Sequence, residues 1–459
     1  MTDIANRLRC WLRGWSRGWS PCWMSGFAAA RRLALMAAAA GLLAGCGTPP
    51  APVADTASAL RVIVAVHEVP EPRPAPGSTP RMRYVGAPQY GGSARAAGLA
   101  DAVARTHGLV EEAGWSILPL ELLCKQYRLP AGVGLDAALA RLRADPRVAL
   151  AQPLNEFESA GGPAAVATTS TSAAAAPATG LLPGYDDPYA GLQRGFAAIG
   201  APATHRLSQG DGVRVAVIDT GIDGGHPDLA GRVAVERNFV AAGTAPPAGP
   251  RGERHGTEVA GVIAAVAHNR IGIAGIAPRA QLLAYRACWP VAGGRARCNS
   301  FTLAQALAAA IAADADVVNL SLAGPADPLL QRLVEHALSR GTVVVGALPP
   351  GGRQDGFPAG VRGVLAVASA DDAAAADGMA GLPAVLRAPG RDILTLQPEG
   401  LYGYASGSSL AAAHVSGAVA LLRALRPGLR GGDAMSWWQA GPVDVCRAAQ
   451  QMRPELRCG

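Results

Sequence analysis

Three residues of this chain can together perform acyl transfer. Asp219 lies in VAVIDTGIDGGHPDL (215–229), at the end of an apolar run. His255 opens HGTEVAG (255–261), and Ser409 sits near the start of GSSLAAAHVSG (407–417). A serine hydroxyl attacks a carbonyl only when a base takes its proton. An imidazole is such a base, and a carboxylate fixes its tautomer and steadies the imidazolium. Each residue also has a plainer reading: an aspartate at a strand-to-turn junction, a helix-capping histidine, a glycine-serine turn before an alanine-rich helix. The order Asp–His–Ser separates the trio from the His–Asp–Ser and Ser–Asp–His orders found on other folds. No Gly-Lys-Ser/Thr phosphate loop and no metal-ligand constellation competes with it.

Such a trio needs a scaffold that brings distant segments together. VRVAVI (213–218), AQLLAYR (280–286), DVVNLSL (316–322), TVVVGA (342–347) and GVLAVAS (363–369) are near-continuous apolar runs. TLAQALAAAIAA (302–313) and PLLQRLVEHALSR (328–340) between them have helical spacing. Continuous apolar strands with helical crossovers predict an α/β fold with a parallel sheet covered on both faces. Sites in such folds lie beyond the carboxyl ends of the strands, and Asp219 is placed at such an end.

The three motifs, in that order, resemble those of the subtilisin-like serine peptidases (subtilases). HGTEVAG matches the family's His-Gly-Thr-x-Val-Ala-Gly throughout. Asp219-Thr220-Gly221-Ile222-Asp223 followed by His226-Pro227-Asp228-Leu229 is also family-like. The serine motif has Gly-Ser-Ser-Leu-Ala-Ala-Ala-His where the family has Gly-Thr-Ser-Met-Ala-Ala-Pro-His, and so departs at Ser408, Leu410 and Ala413. The resemblance implies a subtilisin-like catalytic domain over residues 181–440. In it Ser409 is the nucleophile, His255 the base, Asp219 the orienting carboxylate and His226 a structural residue. It implies protein or peptide substrates that pair as an added strand along Ser321-Leu322-Ala323-Gly324. Ala388-Pro389-Gly390 matches a further family segment. No cofactor is expected. Members often bind structural calcium, and no acidic loop here assigns a site to it.

One departure bears on activity. After the strand TVVVGA the family has Ala-Gly-Asn, whose asparagine donates to the oxyanion; here the register reads Leu348-Pro349-Pro350. Proline has neither a side-chain donor nor a backbone N–H. Losing one such donor costs roughly 10²–10³ in turnover, a magnitude established on a subtilisin. Arg353 and Gln354 in the following loop are the replacement donors at hand. Two other readings therefore stand beside the peptidase: a pseudopeptidase that binds partners, and an esterase or transpeptidase using the same acyl-enzyme.

Residues 60–158 carry their own pattern. RVIVAV (61–66) alternates as a strand, 96–109 has helical spacing, 115–129 suits one or two strands, 135–148 a helix and 149–158 a final strand. This is a ferredoxin-like order, and in this place it resembles the inhibitory propeptide of subtilases. Residues 159–180 carry no charge and read as a linker open to nicking. The resemblance implies self-cleavage between about Glu156 and Gly180, with the propeptide as a partner of the catalytic domain.

Residues 1–45 read as a signal peptide, with Arg31-Arg32 before LALMAAAAGLLAG, a run too short for a comfortable membrane span. A start at Met24 gives a more ordinary signal. Leu43-Ala44-Gly45-Cys46 resembles a bacterial lipobox, which implies lipidation of Cys46 and a membrane anchor. Gly47 in place of aspartate points to the outer membrane; an ordinary cut near Gly47 is the alternative. Residues 46–59 are a tether and 441–459 a C-terminal tail. Export implies an oxidising compartment. The close pairs Cys288/Cys298 and Cys446/Cys458 are the disulfide candidates, with Cys124 left over. The net charge of +7 is concentrated at the start, where six arginines face one acid in residues 1–45, so only +2 remains elsewhere. With no basic stripe, nucleic acid is not an expected partner.

Overall fold

The computed structural model describes residues 61–68, 93–161, 182–240, 254–291, 295–371, 385–438, 442–455 and 457–458. The signal, Cys46, the tether and most of the 159–180 linker lie outside the described residues. The chain divides into two units between Asp55 and Thr56, and everything described belongs to the second.

Strand β1 (Arg61–His67) shows how alternation sorts residues between faces. Val62 and Val64 face the helices Ala94–His107 and Leu135–Ala144, meeting Val103, Leu139 and Leu142. Ile63 and Ala65 face the other way, into a cluster shared with Leu303, Leu307, Leu330 and Leu333. With β2 (Val110–Ile117), β3 (Leu122–Arg128) and β4 (Leu150–Pro153), β1 forms an antiparallel sheet in the order β2-β3-β1-β4. The chain order βαββαβ with this strand order is the ferredoxin-like arrangement.

The stretch 149–158 is not one strand. After β4 the chain turns at Leu154-Asn155, and β5 (Glu156–Ser159) joins a different sheet. The turn is pinned from a distance. Gln152 Nε2 and Asn155 Nδ2 donate to Asp327 Oδ2 at 2.7 and 2.9 Å. Asp327 Oδ1 meanwhile caps the helix Pro328–Ser339 by accepting from the Leu329 and Leu330 N–H groups.

The larger layer is a seven-stranded, wholly parallel sheet. It comprises β6 (Arg214–Asp219), β7 (Val233–Asn238), β8 (Gln281–Arg286), β11 (Val317–Leu320), β13 (Val343–Ala347), β14 (Leu365–Ser369) and β15 (Leu386–Ala388). Their order is β15-β14-β13-β11-β6-β8-β7. Along β6, Val215 and Val217 pack toward the helices Arg254–Ala264 and Ser408–Leu425, and Ala216 and Ile218 toward Ser300–Ala312 and Pro328–Ser339. Both faces are dry, so the sequence reads as an unbroken apolar run. A small sheet in the order β12-β5-β10-β9 adds β9 (Cys288–Pro290), β10 (Ala296–Asn299) and β12 (Leu322–Ala323). The hairpin β16 (Ile393–Gln397) and β17 (Leu401–Ala405) leads to the serine helix. Disulfides join Cys288 to Cys298 and Cys446 to Cys458, and Cys124 is buried and free.

Candidate active site

Asp219 is the last residue of β6, and His255 lies in the first turn of the helix Arg254–Ala264. Their motifs interlock through backbone. A Cβ at Gly256 would overlap the Gly221 carbonyl, so only glycine lets the helix approach the aspartate turn. Gly256 N–H donates to Thr220 Oγ1 at 3.1 Å, and Asp223 N–H donates to Thr257 Oγ1 at 2.8 Å. The result is a buried pair: His255 Nδ1 lies 2.7 and 2.9 Å from the two Asp219 oxygens. Thr220 N–H donates to Asp219 Oδ1 at 2.7 Å and fixes the carboxylate. Burial opposes charging His255, but the charge and hydrogen bond of Asp219, aided by Glu258, prevail and hold the imidazole above its ordinary range. His255 Nε2 is buried with no hydrogen-bond partner.

Ser409 is fully buried in the first turn of the helix Ser408–Leu425. The helix starts at Gly407, whose φ of 149° suits glycine and whose N–H donates to Gly390 O at 2.7 Å. That contact gives Ala388-Pro389-Gly390 its place. Ser409 Oγ donates to Ser321 O at 3.1 Å, and Ser321 Oγ donates back to Ser409 O at 3.0 Å. Behind them Asn319 Nδ2 donates to Ser321 Oγ, and Ser416 Oγ to Asn319 Oδ1, each at 2.9 Å. In the sequence Asn319 and Ser416 are marked only as polar residues inside apolar runs. His226, buried 1% exposed, accepts from Asp228 N–H and bonds the Leu401 carbonyl, a structural role.

The cleft holds a strand of the chain itself. β5 runs antiparallel to β12, with Ser159 opposite Leu322 and Glu158 opposite Ala323. Beyond it Ala160 N–H donates to Ser321 O at 3.1 Å, and Gly161 bridges to Gly407. A Cβ at Gly161 would lie 3.3 Å from His255 Nε2. Ser408 Oγ is shared between the Leu348 and Ala160 carbonyls. Phe157 is 1% exposed, stands edge-on to Phe357 at 5.7 Å, and occupies space a Cβ at Gly324 would take. Thus Ser321, Leu322, Ala323 and Gly324 all meet the segment 157–160. Beside the strand a pocket of about 760 Å³ remains, lined among others by Glu158, Arg295, Pro349, Pro350 and Arg353.

Of the two donors in the loop after Pro350, Arg353 is bound to Asp355 at the surface, whereas Gln354 Nε2 is buried and has no partner. Asp186, Asp187 and His268 bring ligand atoms within 4.8 Å of one another. Two carboxylates and an imidazole fit calcium poorly, since it takes six to eight oxygens. Both Asp187 oxygens already accept backbone N–H groups, from His268 and Asn269.

A parallel sheet with a buried Asp–His pair at its carboxyl end and a serine at the start of a neighbouring helix is the arrangement of the subtilisin-like fold. The family model of the subtilase family matches residues 210–444. Thermitase of Thermoactinomyces vulgaris is 34% identical over 282 residues, covering 58% of this chain and 99% of that protein. Subtilisin E of Bacillus subtilis is 37% identical over 242 residues, 51% of this chain and 61% of that protein. Fervidolysin from Fervidobacterium pennivorans, a keratinolytic enzyme related to subtilisin, shares the fold with a TM-score of 0.61 at 21% identity, covering 85% of this chain and 60% of that one. The chain belongs to the subtilase family, and its class is that of a subtilisin-like serine endopeptidase.

Proposed function

We propose that Asp219, His255 and Ser409 are the catalytic triad and that the first substrate is the Ala160–Gly161 bond of the same chain. The observation that carries this is the seat of Ala160: its N–H bonds Ser321 O, its carbonyl lies at Ser408 Oγ, 3.3 Å away, and Gly161 lies against His255. Ser409 Oγ turns from Ser321 O toward His255 Nε2, gives up its proton and attacks the Ala160 carbonyl carbon. The bond to the Gly161 nitrogen breaks as His255 protonates the leaving amine, and water activated by His255 releases the acyl group. The oxyanion falls to the Ser409 N–H at the helix start, with Gln354 as the side-chain donor that replaces the family's asparagine. Residues 61–160 then remain as a bound inhibitor. The two disulfides support export, and we extend the reading to a lipid anchor at Cys46.

The proline at 350 and the Ser409–Ser321 hydrogen bond favour one second reading, a binding protein on the same fold. Fluorophosphonate labelling with peptide mapping separates the two. The peptidase carries the label on Ser409 and hydrolyses casein; a binding protein does neither. Within the peptidase, Gln354→Ala is expected to lower kcat about 10²-fold with little change in KM. An unchanged kcat assigns the oxyanion to backbone alone.

A further inference from the structure

The strand in the cleft is held on two sides, and its second neighbour carries charge. β10 pairs antiparallel with β5, placing Arg297 opposite Glu158, Cys298 opposite Phe157 and Asn299 opposite Glu156. β9 pairs in turn with β10, with Cys288 directly opposite Cys298 and bonded to it. Pleating divides these rows. Phe157, Cys298 and Cys288 point inward and are buried. Glu156, Glu158, Arg295 and Arg297 point outward, where Arg295 Nη1 meets Glu158 Oε2 at 2.8 Å and Arg297 Nη1 meets Glu156 Oε2 at 3.5 Å. Both carboxylates of this patch belong to β5. Once β5 departs, Arg295 and Arg297 lose the partners they have here, while the nearby Arg353 keeps Asp355.

We infer that the disulfide-braced hairpin β9–β10 makes the cleft selective for extended peptides bearing carboxylates two and four residues before the residue whose carbonyl is attacked. This deepens the proposed function and rests on β5 occupying the substrate's place. Backbone pairing to β12 and β10 binds any extended chain, whereas the arginines discriminate by charge. Opposite charges across strands at this exposure are worth about two- to five-fold each, and like charges oppose binding by a similar factor.

Two measurements on the full chain test it. In the Ser409→Ala protein, hydrogen exchange of amides 157–161 reports how often β5 leaves the cleft. Arg295→Glu with Arg297→Glu is expected to raise that opening about ten-fold, and adding Glu156→Arg with Glu158→Arg is expected to restore protection. In the self-processed protein freed of residues 61–160, peptides with Phe-Glu-Ser-Ala before the cut are expected to exceed Phe-Lys-Ser-Ala in kcat/KM by about five-fold. That preference should invert in the Arg295→Glu, Arg297→Glu variant and shrink at high salt. Cleavage without discrimination overturns the selectivity and leaves the peptidase standing. Absence of cleavage overturns the peptidase, and the exchange rescue then decides the selectivity: exchange unchanged by the reversal, or not rescued by the swap, overturns it.

Discussion

The central strands of the four-stranded sheet of residues 61–153 and of the seven-stranded parallel sheet are apolar on both faces, yet the two sheets cover those faces differently. The parallel sheet packs its own crossover helices on each side, with Val215 and Val217 against one layer and Ala216 and Ile218 against the other. The smaller sheet has helices of its own on one side only, where Val62 and Val64 meet Leu139 and Leu142. Its second face, with Ile63, Ile117 and Leu122, is buried against the helices Ser300–Ala312 and Pro328–Ser339, and Trp115 stands edge-on to Phe301 with centroids 4.4 Å apart. The larger sheet could therefore keep its core without the smaller one; the smaller one could not keep its own. That asymmetry suits a segment that is cut from the chain yet stays on the enzyme, because leaving would expose a full apolar face to water.

Asp219→Asn touches only the carboxyl end of the parallel sheet. It is expected to lower kcat about 10⁴-fold by freeing the wrong imidazole tautomer, with residues 61–153 keeping their hydrogen-exchange protection. Loss of that protection would mean the two sheets are coupled through the site. Trp115→Ala lies on the shared face and is expected to destabilise by about 3–5 kcal/mol, measured as a lower Tm and faster release of the N-terminal fragment after the cut. Leu142→Ala, on the private face, is expected to cost about 2–5 kcal/mol within the small sheet and to leave the thermal transition of the catalytic core in place. If both variants melt the whole molecule together, the asymmetry is wrong. The smallest effect is the pH response of His255. Its folded pKa lies above the ordinary value, so activity should rise with pH through that raised pKa as the imidazole becomes neutral. The stability it contributes has the opposite sign: it is fully present below the unfolded value of about 6.5 and fades as pH climbs through the folded one. Tm and kcat/KM followed across that range should diverge, and Asp219→Asn should move both limbs to lower pH.

Much of this molecule is legible in its sequence because much of it is local. The apolar run ending in Asp219 and the helical spacing of 302–313 follow from period alone, and the serine and histidine motifs are read through their resemblance to the subtilase family. What escaped was set by distant partners. Residues 149–158 read as one final strand. The break at Leu154-Asn155 exists because Gln152 and Asn155 reach Asp327, more than 170 residues on. Arg295 and Arg297 have their carboxylate partners on β5, more than 130 residues earlier. Asn319 and Ser416 sit in runs that burial makes apolar, and only the three-dimensional stacking beneath Ser409 explains their polarity.

The central claim is that the chain presents its own Ala160–Gly161 bond to Ser409. The direct test is intact mass of the purified full chain and of its Ser409→Ala variant after equal incubation. The account requires the wild type to yield a chain beginning at Gly161 and the variant to stay whole. A wild type that stays whole, or a variant cut at the same bond, would contradict it.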